Sequence, residues 1–172
     1  MGMKIYVAGA WIEKAERAEV AIKRLQEAGF TITHDWTKDE QTWSNEKSSD
    51  KNMPPEERKR RAFSDIVGVR NADIVWLLAP KERGSSGAWT EFGAALALNK
   101  VTVVSGTNCR RTIFTELATK LFESDEDAFE WLKASKERDV PLTYLKNSES
   151  QPIQNFGSDG QPVDDRPYGK VP

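Results

Sequence analysis

Residues 72–106, ADIVWLLAPKERGSSGAWTEFGAALALNKVTVVSG, hold the feature that most constrains the fold. Two short apolar runs rich in β-branched residues flank a Gly/Ser loop and one helix-length segment. The runs, 72–80 and 101–105, show no polar–apolar alternation, as strands covered on both faces do not. Strands joined by a helical crossover are parallel, so the stretch predicts a βαβ unit in an α/β sheet. Ligands bind such sheets beyond the carboxyl ends of the strands, and the loop 83–87 lies at that edge.

Glu91 is the unusual residue of this stretch. It sits in the second turn of a helix otherwise made for burial (Ala88, Trp89, Phe92, Gly93, Ala94, Ala95, Leu96, Ala97, Leu98). Helical side chains lean toward the N-terminus, over the residue four positions back. For Glu91 that residue is Gly87, which has no side chain, so the carboxylate is expected to face open space. The helix N-terminus favours its ionised form. An ionised, poorly covered glutamate at a ligand edge is a candidate nucleophile; a solvated glutamate, or one tied to the loop amides, is the equal alternative.

The rest of the chain extends the pattern. Residues 3–8 (MKIYVA) read as the first strand, ending at Gly9, where backbone can approach a ligand closely; no GxGxxG follows, which disfavours a standard NAD-binding fold. Residues 13–28 read as an amphipathic helix with Ala18, Ala21, Ile22 and Leu25 inward. Residues 30–35 (FTITHD) read as a second strand that delivers His34, Asp35 and Trp36 to the ligand edge. His34 could act as an acid or base, although a sole histidine at a strand end is more often structural. Residues 37–53 are polar, with Trp43 in the middle, and read as a lid or a surface loop.

Residues 54–71 read as a second helix with a stripe of Ala62, Phe63, Ile66, Val67 and Val69. Asp65 within it could face solvent, or the ligand edge, where partial burial would raise its pKa. The run Arg58–Arg61 reads most simply as a solvated face, with attraction of an anionic ligand as the alternative. Residues 101–105 are a fourth strand, 109–121 look helical, 121–123 suit a short fifth strand, and 126–138 a helix capped by Ser124 or Asp125. The expectation is a doubly wound parallel sheet of four to five strands, a flavodoxin- or Rossmann-like three-layer sandwich, over residues 1–146, with a polar C-terminal tail over 147–172.

With 172 residues, a net charge of −2 and no basic excess, nucleic acid is not the expected partner. One cysteine and one histidine make an internal disulfide impossible and argue against a zinc site; no metal or cofactor is called for. No apolar run spans a membrane, and the chain enters a strand almost at once, so a cytoplasmic protein is expected. Of six tryptophans, Trp76 and Trp131 suit a core. Trp11, Trp36, Trp43 and Trp89 fall in or near strand-end loops, where they could stack on a nucleobase.

Four stretches together resemble the nucleoside 2-deoxyribosyltransferase superfamily, including its 2′-deoxynucleoside 5′-phosphate N-hydrolases, across residues 4–132. These are KIYVAGAW; the strand ending HDW; FSDIVGVRNADIVWLL, with Asp65 eight residues before Asp73; and GSSGAWTEFGAALALNKVTVV, with Glu91 at the nucleophile's place. The resemblance implies that Glu91 attacks an anomeric carbon in a retaining double displacement. It further implies that Asp65 assists the leaving base, that Tyr6 orients Glu91, and that Trp11, Trp36 and Trp89 frame the base. Ser85, Ser86 and Gly87 would meet sugar hydroxyls or a 5′-phosphate, with Gly9 and Asp35 also at the substrate.

Ser85 stands where transferases of this kind carry an acid, which resembles the hydrolases. Ala10 and Ile12 stand where those hydrolases have serine and arginine. The resemblance also implies a homo-oligomer. The expected function is cleavage or transfer of the N-glycosidic bond of a small-molecule nucleoside or nucleotide. The rivals are a non-catalytic nucleotide-binding module and a glycohydrolase of another N-ribosyl compound.

Overall fold

The structure is a computed structural model that describes residues 2–39, 53–81 and 85–147. Five strands form one parallel sheet: β1 (Lys4–Ala8), β2 (Thr31–Ile32), β3 (Ile74–Leu78), β4 (Val101–Ser105) and β5 (Lys120–Phe122). Their order is β2-β1-β3-β4-β5, so the chain reverses direction across the sheet between β1 and β3, the switch point where such sheets bind ligands. The central strands are apolar because both faces are covered. Every residue of β3 and β4 is buried, as is every residue of β1 after Lys4.

Helices α1 (Glu19–Glu27) and α4 (Asp125–Glu137) pack together on one face, and α2 (Pro55–Asn71) and α3 (Ser86–Ala97) pack together on the other. The α1–α4 seam is closed by Arg24, which grips Glu126 through both terminal nitrogens and lies over the Phe129 ring. Ser124 caps α4 by accepting from the Asp127 N–H, a contact worth about 1 kcal/mol. A short α5 (Leu142–Asn147), unforeseen in the sequence, tucks Leu145 against the core, and Lys146 Nζ donates to Asn99 O.

Five expectations change. The helix expected over 13–28 begins as a 3₁₀ turn (Trp11–Glu13) and a π-helical turn (Lys14–Ala18) before α1. This entry turns the charged side chains of Glu13 and Arg17 into the protein, where both are buried. The second strand shrinks to two paired residues. Thr33 still donates its N–H to Ile5 O, but its hydroxyl turns to Gly68 O of α2 and the chain leaves the sheet.

The segment 109–121 is not an α-helix. It holds turns and a 3₁₀ stretch (Ile113–Leu117) with Ile113, Phe114 and Leu117 exposed. The stripe on α2 is also rotated: Val69 is fully buried, but Phe63 is 69 % exposed and Ile66 39 %. The face of α2 that meets the sheet carries Asp65 and Gly68 instead. Similarly, α3 buries Ala88, Phe92 and Ala95 and leaves Gly93, Ala97 and Leu98 outside. The lid expected over 37–53, with Trp43, lies mostly outside the described residues, as do Glu82, Arg83 and Gly84 and the tail beyond Asn147.

Candidate active site

Four elements deliver one cluster to the carboxyl edge at the switch point. Tyr6 comes from the middle of β1 and is fully buried. Its hydroxyl donates to Asp65 Oδ1 of α2 across 3.2 Å, and Glu91 of α3 is close enough to interact with both. His34, just past β2, brings Nε2 to 3.4 Å from the same Asp65 oxygen. That nitrogen is buried and makes no hydrogen bond of its own among the described residues.

Gly68 makes this assembly possible. A Cβ built there would stand 2.7 Å from His34 Cβ and 2.8 Å from two carbons of the Tyr6 ring, distances that no real side chain tolerates. One turn after Asp65, α2 thus comes close enough to hold its carboxyl against both partners.

Burial dominates the electrostatics. It pushes the Glu91 carboxyl up to about 8, aided by the nearby Asp65 charge and opposed by the Tyr6 hydrogen bond. This overturns the expectation that the helix N-terminus keeps Glu91 ionised: loss of solvent outweighs the helix dipole, which is worth about 1 kcal/mol or less at most sites. The Asp65 carboxyl is also raised, chiefly by burial, against the attraction of His34 and the Tyr6 bond. The Tyr6 phenol is raised by burial and by both carboxyls, so it stays protonated and serves as a shared hydrogen-bonding group. At neutral pH the two carboxyls hold a proton that isolated carboxylates would have lost.

One turn before Glu91, a Cβ on Gly87 would have nothing within 4 Å among the described residues. Ser85, immediately before α3, has φ 57° and ψ 47°, the left-handed conformation, and Ser86 is exposed at the first helical position. Trp89 is half-buried and meets Phe92 edge-on.

The other residues expected at the substrate divide. Trp11 keeps exposed surface and tilts against Trp36, with ring centroids 5.9 Å apart. Trp36 itself is 8 % exposed, and its indole N–H donates to Val7 O at 2.7 Å, so it serves the framework more than a ligand. Asp35 accepts from the N–H and hydroxyl of Thr37, capping the 3₁₀ turn Trp36–Lys38. Gly9 lies under Trp36; a Cβ there would make only ordinary contacts at 3.6–3.8 Å. His34, which the sequence marks as more often structural than catalytic, joins the cluster. Its signal was position, since a strand-end residue beside HDW lands at the ligand edge, but only the packing of α2 shows which carboxyl it meets.

A parallel α/β sheet with two carboxyls gathered around one buried phenol at its switch point defines the class: a Rossmann-like protein with a protonatable acid pair at its ligand edge. The model of the family described as nucleoside 2-deoxyribosyltransferase matches residues 5–153, and the chain belongs to that family. Its family-level chemistry is cleavage or transfer at an N-glycosidic bond. Among solved structures, the chain is similar to the CMP N-glycosidase BcmB of Clostridium botulinum, with 14 % identity and a TM-score of 0.50, covering 76 % of this chain and 98 % of that one. No curated protein matches. Among the described residues no cluster of His, Cys, Asp and Glu could hold a metal ion, and no helix is long and apolar enough to cross a membrane.

Proposed function

We propose that this protein cleaves or transfers the N-glycosidic bond of a (deoxy)nucleoside or (deoxy)nucleotide by retaining double displacement, with Glu91 as nucleophile. The observation that carries the reading is the single phenol, Tyr6, which donates to Asp65 and interacts with Glu91, two carboxyls whose pKa values burial raises. Retaining chemistry needs one ionised carboxylate and one proton donor at the same moment. A pair that holds one extra proton at neutral pH satisfies that requirement, and its apparent pKa values belong to the pair.

Glu91 attacks the anomeric carbon from the side opened by Gly87. The carbon–nitrogen bond breaks, and its electron pair leaves with the base, which takes a proton from Asp65. Before attack the proton held by Glu91 must move. Tyr6 provides a route without forming phenolate: its hydroxyl accepts from one carboxyl as it donates to the other. Water or a second base then attacks the glycosyl–Glu91 ester, releasing the Glu91 carboxylate, while Asp65 receives the attacking group's proton. His34 against Asp65 steadies the charge that Asp65 acquires on giving up its proton. Trp11 and Trp89 offer partly exposed ring surface for the base.

The test is a panel of deoxynucleosides, ribonucleosides and their 5′-monophosphates, incubated with and without a second free base and followed by chromatography. Base released without acceptor identifies a hydrolase; a new nucleoside formed only with acceptor identifies a transferase. Ligand-dependent stabilisation with no turnover anywhere in the panel would replace this reading by a binding module. Release of nicotinamide from nicotinamide nucleotides alone would replace it by a glycohydrolase of a different N-ribosyl compound.

A further inference from the structure

On the face of the sheet opposite the catalytic carboxyls, the structure buries a charged network that the chemistry above does not use. Arg17 is 8 % exposed and Glu13 7 %. The Arg17 guanidinium donates to Asp125 Oδ2 at 2.7 Å and Oδ1 at 2.8 Å, to Glu13 Oε2 at 2.5 Å, to Ala79 O at 2.8 Å and, at 3.5 Å, to Ser105 O. It therefore ties together the carboxyl ends of β3 and β4 and the start of α4. Gly106 leaves it room: a Cβ there would lie 2.8 Å from an Arg17 nitrogen. Asp125 also accepts from the Ser105 hydroxyl, which in turn accepts from the Trp76 indole. Burial alone would raise the Asp125 carboxyl, but Arg17 and Ser105 outweigh it and lower it.

Burying charge is costly even when it is paired, and here the arrangement ends on backbone. The second oxygen of Glu13 accepts the Lys81 N–H at 2.8 Å. From the other side, the Asn108 amide donates to both Pro80 O and Lys81 O at 2.8 Å. Pro80–Lys81 is where the chain leaves β3 for the loop that ends at Ser85 and opens α3. Glu13 belongs to the loop after β1 and Asn108 to the loop after β4, so the neighbouring strand-end loops grip this segment from both sides.

We infer that Glu13 and Asn108 are positioning residues for ligand binding: they fix Pro80–Lys81 at the carboxyl end of β3 beside the site, with Arg17 holding Glu13 in place. The inference rests on the proposed function for the identity of the ligand. Glu91 has separate support, since α3 is seated by Ala88, Phe92 and Ala95 and its carboxyl is held by Tyr6. Loosening Pro80–Lys81 therefore disturbs the carboxyl end of β3, where a ligand binds, and leaves the reacting carboxyls in place, so the effect falls on KM rather than kcat.

Two variants and two readouts test this. In Glu13→Gln the amide oxygen still accepts from Arg17, but the Lys81 N–H faces an NH2 group and loses its acceptor. Asn108→Ala removes the other grip and leaves the buried charges untouched. Native-state hydrogen exchange is expected to show faster exchange at Lys81 and the first turn of α3 in both variants. With the substrate found in the panel above, KM is expected to rise about three- to tenfold, the worth of one hydrogen bond, with kcat within about twofold. The double variant should be little worse than the more affected single, because either release frees the same segment. Unchanged exchange in both variants overturns the inference, as does faster exchange with unchanged KM, or a fall confined to kcat. A wild type that turns over nothing defeats the proposed function instead. The exchange readout, repeated with the affinity of a deoxynucleoside 5′-monophosphate measured by calorimetry, then decides the inference by the same criteria, with loss of ligand affinity in the variants supporting it and unchanged affinity, or no binding to the wild type, overturning it.

Discussion

The Tyr6 hydroxyl donates to Asp65 Oδ1 across 3.2 Å and also interacts with Glu91, so one buried oxygen stands between carboxyls from different helices. Replacing it by Tyr6→Phe removes the one interaction that lowers the Glu91 pKa. The alkaline limb of the pH profile of kcat/KM, where the pair loses its extra proton near pH 8 in the wild type, should move to higher pH. At pH 7 activity should fall about 10- to 100-fold, because the proton route through the phenol is gone and a hydrogen bond to a charged group is lost. A profile that keeps its alkaline limb in Tyr6→Phe would contradict the shared-phenol account.

Glu91 also makes stability depend on pH. Its folded pKa of about 8 lies above its ordinary 4.5, so between these values the native state binds more protons than the unfolded one. Stability is then fully present below about pH 4.5 and declines as pH rises to about 8; Asp65, also raised, acts in the same sense. Glu91→Gln should flatten this decline and melt above the wild type at pH 9. Melting temperatures measured from pH 4.5 to 9 check it; parallel curves would show that Glu91 titrates normally in the fold.

Much of this fold was legible in the sequence because it is written in continuous apolar runs. β3 and β4 and the buried positions of α1 declare themselves, and the small-residue signature around Glu91 marks the helix at the ligand edge. What could not be read has a common physical cause: the outcome depended on a partner elsewhere in the chain. The stripe Phe63–Ile66 reads as core on propensity, yet α2 turns Asp65 and Gly68 inward because Tyr6 and His34 require a residue without a Cβ between them. The entry to α1 looks like plain amphipathic helix, yet Glu13 and Arg17 are buried because the loop after β3 needs a partner for its backbone. The ionisation of Glu91 was misjudged because the helix dipole is local and visible, whereas burial is tertiary.

Gly68 offers a direct test of that packing. In an open helix Gly68→Ala would stabilise by roughly 1 kcal/mol. Here the new methyl meets the Tyr6 ring and His34 Cβ below 3 Å, and neither neighbour is a flexible chain end. The overpacking penalty of about 1–3 kcal/mol should prevail, lowering the melting temperature by several degrees and lowering kcat by displacing Tyr6. A more stable, fully active variant would show that α2 can withdraw freely.

Ser85 holds a left-handed conformation, with φ 57°, at a cost of about 1–2 kcal/mol. Ser85→Gly relieves it and loses somewhat less to unfolded-chain entropy, so the net effect should be about 0.5 kcal/mol of added stability, read from urea unfolding. If the Ser85 hydroxyl contacts a 5′-phosphate, the same variant raises KM for a nucleoside monophosphate and not for the free nucleoside. Equal changes for both would remove Ser85 from phosphate binding.

The nucleophilic role of Glu91 is tested most directly by stopping turnover with acid and weighing the peptide that contains Glu91. With the best substrate of the panel, the wild-type peptide should gain the mass of one glycosyl or phosphoglycosyl group, and Glu91→Gln should show neither the adduct nor turnover. An adduct on another residue, or turnover that survives in Glu91→Gln, would contradict the double displacement through Glu91.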